Sequence, residues 1–369
     1  MFCVKSNNDI LYRKTISAIS LFSCIGVSEY YLEGCGINIL CAADIDKSRC
    51  QVHKVLYPKV SVVCGDITIA DTKQAIFNSV ANQTIDLIIS TPPCQGLSTV
   101  GKNRKLDSLL NSRDKRNYLI FETFPFIDKY SPSYVIFENV PRLLKLLMPY
   151  EGKMMNIMDI LQVRYGEEYN IQCNIYNTAR FEIPQSRERV FIRMSKKGLD
   201  WKDPIPSEHI VTLREAIGDL PSLEAGEKSD IKNHWARKHP HNQVQWMQHT
   251  PTGCSAMDNE IYYPQKHTGE KITAYRNCYK RIEWDKPAPT ITMRNEIMSS
   301  QDNVHPGRLL PNGLWSDARV LTLRELLIVM SLPPDMNIPQ CVSDTAMRQY
   351  IGEGIPSLMM KKVMEGLIC

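Results

Sequence analysis

Short apolar segments alternate with amphipathic ones through the first half of this chain, and this alternation constrains the fold more than any other feature. Predicted strands cover Ile16 to Phe22, Asn38 to Ala43, Val60 to Cys64, Ile85 to Ser90, Tyr134 to Phe137, Ile171 to Tyr176 and Val190 to Met194, and helical patterns cover Val27 to Glu33, Ser48 to Leu56 and Tyr118 to Tyr130. Strands that alternate with helices pack as a largely parallel sheet with helices on both faces. The sequence therefore predicts an α/β fold with a doubly wound, mostly parallel sheet.

The alternation stops after Met194. From Gly198 to about Pro289 the chain is richer in His, Trp, Pro and Asn, and six of the eight histidines lie there. This change of pattern predicts a smaller and irregular second domain, which we expect to span residues 197–317.

Helical patterns return near the end of the chain. Thr322-Leu323-Arg324-Glu325 matches a capping box, in which the first and fourth side chains satisfy backbone groups at a helix start. Residues Pro356 to Leu367 also read as a helix. We expect residues 318–369 to join residues 1–196 in the sheet domain.

The composition is that of an ordinary globular protein, with 43% hydrophobic and 23% charged residues in 369. No run of 18 apolar residues is present, so we expect no membrane span. The N-terminal residues lack the apolar segment of a secretory signal. These features predict a cytoplasmic protein.

The twelve cysteines predict neither disulfides nor a metal site. None forms a Cys-x-x-Cys pair, which excludes zinc-ribbon and thioredoxin-like motifs. The spacing of His234, His239, His241 and Cys254 matches no standard zinc pattern. We expect reduced, mostly buried thiols and no bound metal.

Chemically distinctive residues lie at the ends of three predicted strands. Thr91-Pro92-Pro93-Cys94-Gln95-Gly96 follows an apolar strand, and its prolines fix the backbone beside a cysteine. Glu138 and Asn139 end another strand, while Arg187 and Arg189 alternate on a third, so that both side chains face one side. A turn cysteine, a strand-end cap and salt bridges could explain each residue alone. Together they indicate a nucleophile, an acid and paired cations at the sheet edge where such folds carry their chemistry.

The turn after the first strand predicts a nucleotide-like ligand. Leu21 to Val27 leads from a strand towards a helical pattern, and Asp44 and Asp66 follow the next two strands. Asp44 could accept hydrogen bonds from ribose hydroxyls, and Asp66 from an adenine amino group. The turn holds one glycine where a dinucleotide fingerprint needs three, which disfavours nicotinamide binding. A tight turn with two strand-end caps is the alternative.

The net charge of +4 is only mildly basic, but its distribution is uneven. Cations crowd the stretch after Cys94, where Lys102, Arg104, Lys105, Arg113, Lys115 and Arg116 face only Asp107 and Asp114. A solvated charged loop would look similar. Its position beside the candidate nucleophile favours contact with phosphates.

In order and across almost the whole chain, the motifs resemble those of the cytosine-5 DNA methyltransferase family. The nucleophile, carboxyl and arginine motifs are Pro93-Cys94-Gln95, Glu138-Asn139-Val140 and Gln185-x-Arg187-x-Arg189. The cofactor turn, the segment packed on the cofactor and two C-terminal motifs are Phe22-Ser23-x-Ile25-Gly26, Asp114-x-Arg116-Asn117-Tyr118-Leu119, Arg319-x-Leu321-Thr322-x-Arg324-Glu325 and Gly352-Glu353-Gly354-Ile355-Pro356. Seven short motifs in the family's order make a specific signal.

The chain departs from the family pattern at five positions. Cys24 and Val27 stand where the cofactor turn is usually richer in glycine, and Asp44 stands where many members have Glu. Pro92 replaces a common aromatic residue, and Glu353 occupies a place that is often Asn. No catalytic group is lost, so the departures concern only the detailed cofactor contacts.

The resemblance implies a methyltransferase-type sheet domain that binds S-adenosylmethionine and releases S-adenosylhomocysteine, and a target-recognition domain facing it across a cleft for double-stranded DNA. It implies Cys94, Glu138, Arg187 and Arg189 as catalytic residues. It implies cofactor contacts by Phe22, Ser23, Ile25, Gly26, Asp44, Ile45, Asp66, Ile67, Pro92, Leu119, Glu353, Gly354 and Ile355. Expected DNA contacts are Gln95, Ser98, Lys102, Arg104, Arg116, Arg237 and Arg276, with Lys232, Lys238, Lys280 and Arg281 as further candidates.

The implied reaction is covalent methyl transfer to a cytosine flipped out of the duplex. Cys94 adds to carbon 6 of the ring, Glu138 serves ring nitrogen 3, and Arg189 holds the carbonyl oxygen while Arg187 orients neighbouring groups. The resemblance further implies a sequence-specific monomer in a bacterial or phage restriction-modification system, acting in the bacterial cytoplasm or nucleoid beside a separate endonuclease.

Three alternatives remain open from the sequence. A transfer-RNA cytosine-5 methyltransferase would keep the chemistry and change the substrate. A non-catalytic DNA-binding relative would not need Cys94, Glu138 and the arginine pair. A nicotinamide oxidoreductase would need the glycines that the cofactor turn lacks. The recognised DNA sequence cannot be read from the chain.

Overall fold

The computed structural model describes residues 15–93, 114–266, 268–272 and 276–367, and a seven-stranded sheet lies at its centre. The strands are β1 Ile16–Leu21, β2 Ile37–Asp44, β3 Ser61–Cys64, β4 Leu87–Ser90, β5 Tyr134–Asn139, β6 Met148–Tyr150, β7 Lys153–Met155, β8 Tyr169–Asn177 and β9 Glu188–Lys196. The sheet order is β3-β2-β1-β4-β5-β9-β8, and β6 and β7 form a separate hairpin. The first five strands pair in parallel and β9 is antiparallel to both its neighbours, which confirms the predicted mostly parallel α/β fold.

Helices cover both faces of the sheet. They are α1 Lys47–Leu56, α2 Ala70–Ser79, α3 Phe124–Tyr130, α4 Ile157–Tyr165, α5 Leu213–Ile217, α6 His241–Gln248, α7 Leu323–Val329, α8 Asp344–Glu353 and α9 Ser357–Glu365. Short 3-10 segments cover Val27–Glu29, Glu33–Cys35, Lys115–Thr123, Pro141–Lys145, Thr178–Phe181 and Ala256–Asp258. None of the helices in the described ranges is long and apolar enough to cross a membrane.

Two helical predictions differ from the structure in detail. The segment expected to be helical at residues 27–33 forms two short 3-10 turns instead. The predicted helix at 118–130 divides into a 3-10 segment and α3, with Pro125 in the first turn of α3. Proline lacks the N–H needed to continue the preceding helix, so it favours a new helix start.

Both faces of β4 are buried, and this explains its continuous apolar run. Ile88 lies in one hydrophobic core, whereas Leu87 and Ile89 lie in the core on the opposite face. Successive side chains of a strand point to opposite faces, so a strand covered on both sides needs apolar residues throughout.

The end of the chain returns to the sheet. Met359, Met360 and Val363 of α9 share a core with Leu87 and Ile89. Just before α9, the Ser357 hydroxyl donates a hydrogen bond to the Val27 carbonyl at 2.6 Å. This packing places the residues before α9 beside the turn that follows β1.

Residues of the middle region contribute to more than one hydrophobic core. Trp246, Met247 and Val304 belong to a small core of its own. Leu213 packs instead with residues of α7 and α8, and the Trp201 indole donates to the Val363 carbonyl at 2.9 Å. The domain division at 196/197 and 317/318 therefore stays a prediction.

The turn after β1 requires glycine at position 26. Gly26 has φ of 79°, and a Cβ there would lie 2.5 Å from Tyr57 Cε2. The Tyr57 hydroxyl donates to the Gly26 carbonyl at 2.6 Å, so the ring has little room to move. We expect Gly26→Ala to lower the free energy of unfolding by about 2–4 kcal/mol, from backbone strain plus overpacking.

Urea unfolding of Gly26→Ala beside Gly34→Ala measures this effect. Gly34 has open space around its Cα, so its substitution should change stability by less than about 0.5 kcal/mol. Equal stability of the two variants would contradict the packing account.

Candidate active site

A large cleft lies at the carboxyl edge of the parallel strands. Its volume is about 1370 Å³, and its walls include the turns after β1, β2, β3, β4 and β5. Residues 280–283, 286–287, 289–294 and 300–302 of the middle region and residues 352–355 also line it. Parallel pairing makes this arrangement unavoidable, because the carboxyl ends of parallel strands meet at one edge.

Most of the predicted cofactor residues line this cleft. They are Phe22, Ser23, Asp44, Ile45, Asp66, Ile67, Pro92, Leu119, Glu353, Gly354 and Ile355. Ile25 and Gly26 do not line it, because the Ile25 side chain is packed in the core and Gly26 lies against Tyr57. These two residues support the turn on the side that faces the core, away from the cleft.

The turn after β1 is held by Asp44. Phe22, Cys24 and Gly26 all have left-handed backbone angles, with φ of 61°, 50° and 79°. Such angles cost of order 1–2 kcal/mol for residues other than glycine. The Asp44 carboxylate accepts hydrogen bonds from the backbone N–H of Cys24 at 3.0 Å and of Asp46 at 2.9 Å, and so fixes the turn on β2.

This end of the cleft fits a nucleoside. Ile45 is 63% exposed although it is apolar, and Ile67 lies in the same wall. Asp44 and Asp66 lie beside these surfaces. Flat apolar surfaces next to carboxylates can cover a purine ring and accept hydrogen bonds from ribose and amino groups.

Glu138 and Arg189 form an ion pair in the cleft. Arg189 Nε lies 3.1 Å from Glu138 Oε1, and each side chain is only 12% exposed. Burial raises the pKa of the Glu138 carboxyl above its usual value, and the charges of Arg189 and Arg187 oppose this shift only in part. A carboxyl with a raised pKa can hold a proton and deliver it to a bound ring.

The two arginines of the motif have different surroundings. Arg187 is 4% exposed, and its guanidinium donates to the carbonyls of Ile291 at 2.8 Å, Gly352 at 3.3 Å and Glu353 at 3.4 Å. It therefore joins the middle region and the C-terminal segment to β9. The Arg189 side chain, by contrast, forms the ion pair with Glu138.

The turn that carries the candidate nucleophile is tied to β5. The Asn139 side-chain amide donates to the Pro92 carbonyl at 3.0 Å, and Pro92 and Pro93 line the cleft with Glu138. Cys94 follows Pro93 in the sequence and lies outside the described residues, as do Gln95, Ser98, Lys102 and Arg104.

The predicted DNA contacts that the structure describes have varied surroundings. Arg116 is 47% exposed and paired with Asp114, and Arg276 is 87% exposed at 3.6 Å from Asp258. Arg237 is paired with Asp344. All three arginines have a carboxylate partner, but Arg116 and Arg276 are exposed and so remain accessible to phosphates, whereas the Arg237 side chain is only 26% exposed.

Arg281 is wrong as a candidate DNA contact. It is fully buried, and its guanidinium donates to the backbone carbonyls of Met247, His305, Ser316 and others. Burial lowers its pKa to about 9, and the nearby charges of Asp317 and Glu224 oppose this shift only in part. The side chain cross-links loops of the middle region, and the sequence offered no sign of this.

One histidine of the group considered for a metal site has protein partners at both ring nitrogens. His234 is buried, with Nδ1 3.0 Å from the Thr322 hydroxyl and Nε2 3.0 Å from the Pro221 carbonyl. Among the residues that the structure describes, no group of three or more His, Cys, Asp or Glu side chains could hold a metal ion.

The sequence reasoning missed Arg49, which lines the cleft. Its guanidinium lies 2.7 Å from Glu353 and 3.8 Å from Asp44. Its partner Glu353 lies 304 residues away in the sequence. The only sequence signal was therefore the position of Arg49 in the first turn of the helix after Asp44.

Glu138 should make stability depend on pH. A carboxyl whose pKa is raised on folding contributes stability that is fully present below its unfolded pKa, about 4.3, and is lost as pH rises through the folded pKa. We expect the free energy of unfolding of the wild type, relative to Glu138→Gln, to fall as pH rises through this window.

Urea unfolding of the wild type and of Glu138→Gln at a series of pH values from about 4.3 upwards measures this difference. The exposed Glu167→Gln is the control, and its free energy of unfolding should follow the same pH dependence as the wild type. A wild-type advantage that grows with pH would contradict the raised pKa.

Comparisons with known proteins find matches over nearly the whole chain. The model of the family described as C-5 cytosine-specific DNA methylase matches residues 16–369. The chain is 44% identical over 355 residues to type II methyltransferase M1.HgaI of Avibacterium volantium, across 95% of this chain and 98% of that protein. It is 27% identical over 374 residues to type II methyltransferase M1.HphI of Haemophilus parahaemolyticus, across 100% and 91%.

Solved structures share the fold. A prophage-encoded DNA modification methyltransferase of E. coli superposes with a TM-score of 0.68 at 19% identity, across 95% of this chain and 98% of that one. Methyltransferase EhMeth of Entamoeba histolytica gives 0.64 at 15% identity, across 96% and 98%. These likenesses confirm the methyltransferase-type fold, and with the family match they lead to one conclusion: the chain belongs to the C-5 cytosine-specific DNA methylases, enzymes that methylate carbon 5 of cytosine in DNA.

Proposed function

We propose that this chain binds S-adenosylmethionine in the cleft and methylates a cytosine flipped out of duplex DNA through a covalent bond to Cys94. The observation that carries the proposal is the Glu138–Arg189 pair, which lies in the same cleft as Pro93, the residue before Cys94. An acid, a cation and a thiol would then converge on one ring.

The family uses S-adenosylmethionine as its methyl donor. In this chain the ribose and adenine would be held by Asp44, Asp66, Ile45 and Ile67, whose apolar and carboxylate surfaces fit a nucleoside. When bound, the cofactor supplies an electrophilic methyl group. The product left in the site is S-adenosylhomocysteine.

The residues of the cleft make carbon 5 of cytosine nucleophilic. The Cys94 thiolate adds to carbon 6, and the electron pair of the 5,6 double bond moves towards ring nitrogen 3. Glu138 delivers its proton to that nitrogen, so no net charge accumulates on the ring. Arg189 donates hydrogen bonds to the carbonyl oxygen. Once carbon 5 carries the methyl group, its proton passes to solvent water, ring nitrogen 3 returns its proton to the Glu138 carboxylate, and the 5,6 double bond re-forms as the thiolate leaves.

The ring faces of cytosine are inaccessible in a stacked duplex, so the base must be extruded at a cost of a few kcal/mol. We propose residues 197–317 as the target-recognition domain. Its residues Lys280, Gln301 and Asp302 line the cleft that also holds Glu138. Arg116 and Arg276 remain candidates for phosphate contacts, as do the residues after Cys94.

The 44% identity to a type II methyltransferase supports a role in a restriction-modification system. We propose a sequence-specific monomer that protects DNA in the bacterial cytoplasm from a separately acting endonuclease.

Cys94→Ala should abolish methyl transfer while DNA binding is kept, because only the thiolate activates the ring. Cys341→Ala, which removes an exposed thiol, should keep full activity. Transfer of labelled methyl groups to DNA and a gel-shift assay measure the two properties. DNA containing 5-fluorocytosine should form a denaturation-resistant adduct, and a trapped peptide without Cys94 would overturn this nucleophile.

Arg189→Met and Arg187→Met should fail in different ways. Loss of the Arg189 cation should lower kcat on the order of 100-fold or more, and it should cost less stability than loss of Arg187, because the Glu138 carboxyl left behind can take up a proton. Loss of Arg187 leaves buried carbonyls without their donor and should cost about 3 kcal/mol of unfolding free energy. Single-turnover kinetics and urea unfolding separate the two effects, and the reverse assignment would contradict the separate roles of the two arginines.

A further inference from the structure

Three of the positions at which this chain departs from its family pattern meet at one point of the cleft. The Cys24 N–H donates to Asp44 Oδ2 at 3.0 Å, and the Cys24 sulfur lies 3.5 Å from Glu353 Oε2. These residues come from the turn after β1, the end of β2 and the end of α8. Cys24, Asp44 and Glu353 therefore form one cluster in the cleft.

Arg49 of α1 links the members of this cluster. Its Nη2 lies 2.7 Å from Glu353 Oε1, and its Nη1 lies 3.8 Å from Asp44 Oδ1. The guanidinium also lies over the Tyr350 ring, 5.5 Å from the centroid. Arg49 thus contacts both Asp44, which holds the turn after β1, and Glu353, which belongs to the segment 352–355 that lines the cleft.

The cluster needs a cation because it gathers acidic groups in a half-buried place. Burial raises the pKa of the Glu353 carboxyl, and the nearby Asp44 raises it further, while the Arg49 charge opposes both. Burial and the Glu353 charge likewise raise the pKa of the Cys24 thiol. Without Arg49, the Glu353 side chain would take up a proton or turn away from Asp44.

The backbone around Glu353 is anchored independently of Arg49. Arg187 binds the carbonyls of Gly352 and Glu353, and Gly354 is packed so closely on Val27 that a Cβ would come within 2.8 Å. The segment therefore stays in place without Arg49. Arg49 instead fixes the orientation of the Asp44 and Glu353 carboxylates.

We propose that Arg49 is a positioning residue for the methyl donor, acting through its ion pair with Glu353 and its contact with Asp44. The inference rests on the proposed cofactor site and names a residue of this chain that holds that site in shape. Arg49 then affects cofactor binding and leaves the chemical step and DNA binding unchanged, because Glu138 and Arg189 do not contact it.

Isothermal titration of S-adenosylmethionine into Arg49→Met, Glu353→Gln and the double variant tests the proposal. Each single variant should raise the Kd about tenfold, and the double variant should bind no more weakly than Arg49→Met, because Arg49→Met already removes the ion pair with Glu353. Arg49→Lys should recover part of the affinity. Arg49→Met should raise the KM for S-adenosylmethionine far more than it lowers kcat at saturating cofactor.

Arg214→Met is the matched control, since it removes an exposed arginine paired with Asp285. Its Kd should equal that of the wild type. A wild-type Kd for Arg49→Met, fully additive single variants, or an equal loss of kcat and DNA affinity would each overturn the role of Arg49. If Arg49→Met does not fold, Glu353→Gln and Arg49→Lys decide the question by the same criteria.

Asp44→Asn separates this inference from the proposed function. If the wild type fails to bind the methyl donor, or if Asp44→Asn binds it as well as wild type, the proposed cofactor site itself is wrong. If Asp44→Asn loses affinity while Arg49→Met does not, the site stands and only the inference about Arg49 falls.

Discussion

Parallel pairing of β1 with β2 and β4, and of β4 with β5, is the constraint on which the whole site depends. It forces the turns after these strands onto one edge, although they come from distant parts of the chain. Side-chain hydrogen bonds then fix the turns to each other: Thr91 Oγ1 donates to the Phe22 carbonyl at 3.1 Å, and the Asn139 amide donates to the Pro92 carbonyl at 3.0 Å. The sheet supplies proximity, and these bonds supply the orientation that catalysis requires.

Charge balance is the second organising feature of the cleft. Glu138 faces Arg189, and Glu353 faces Arg49. In both pairs burial raises the pKa of the carboxyl and an arginine opposes the shift. The proposed uses differ, because Glu138 would exchange its proton with a ring whereas Glu353 would stay fixed. Arg187, which contacts backbone carbonyls, joins β9 to the middle region and to the C-terminal segment.

Strands and caps were predictable where local chemistry determines them. β4 was read from its apolar run, and Thr322 and Glu325 form the predicted capping box at the start of α7. Helices α2, α4, α5, α6 and α8 were not predicted, and α2 has only one buried side chain, Ile76, to reveal an apolar face. Arg281 was misassigned because nothing local distinguishes an arginine bound to distant carbonyls from one at the surface.

By itself the sequence determined the fold class, the order of the strands along the chain and the residue types of the chemistry, because apolar runs, prolines and capping residues act within a few positions. Only the tertiary structure decided which side chains share a partner: that Arg187 binds backbone while Arg189 binds Glu138, and that Arg49 meets Glu353 across 304 residues. Contacts of that separation depend on how the sheet and its helices pack, which no local pattern specifies.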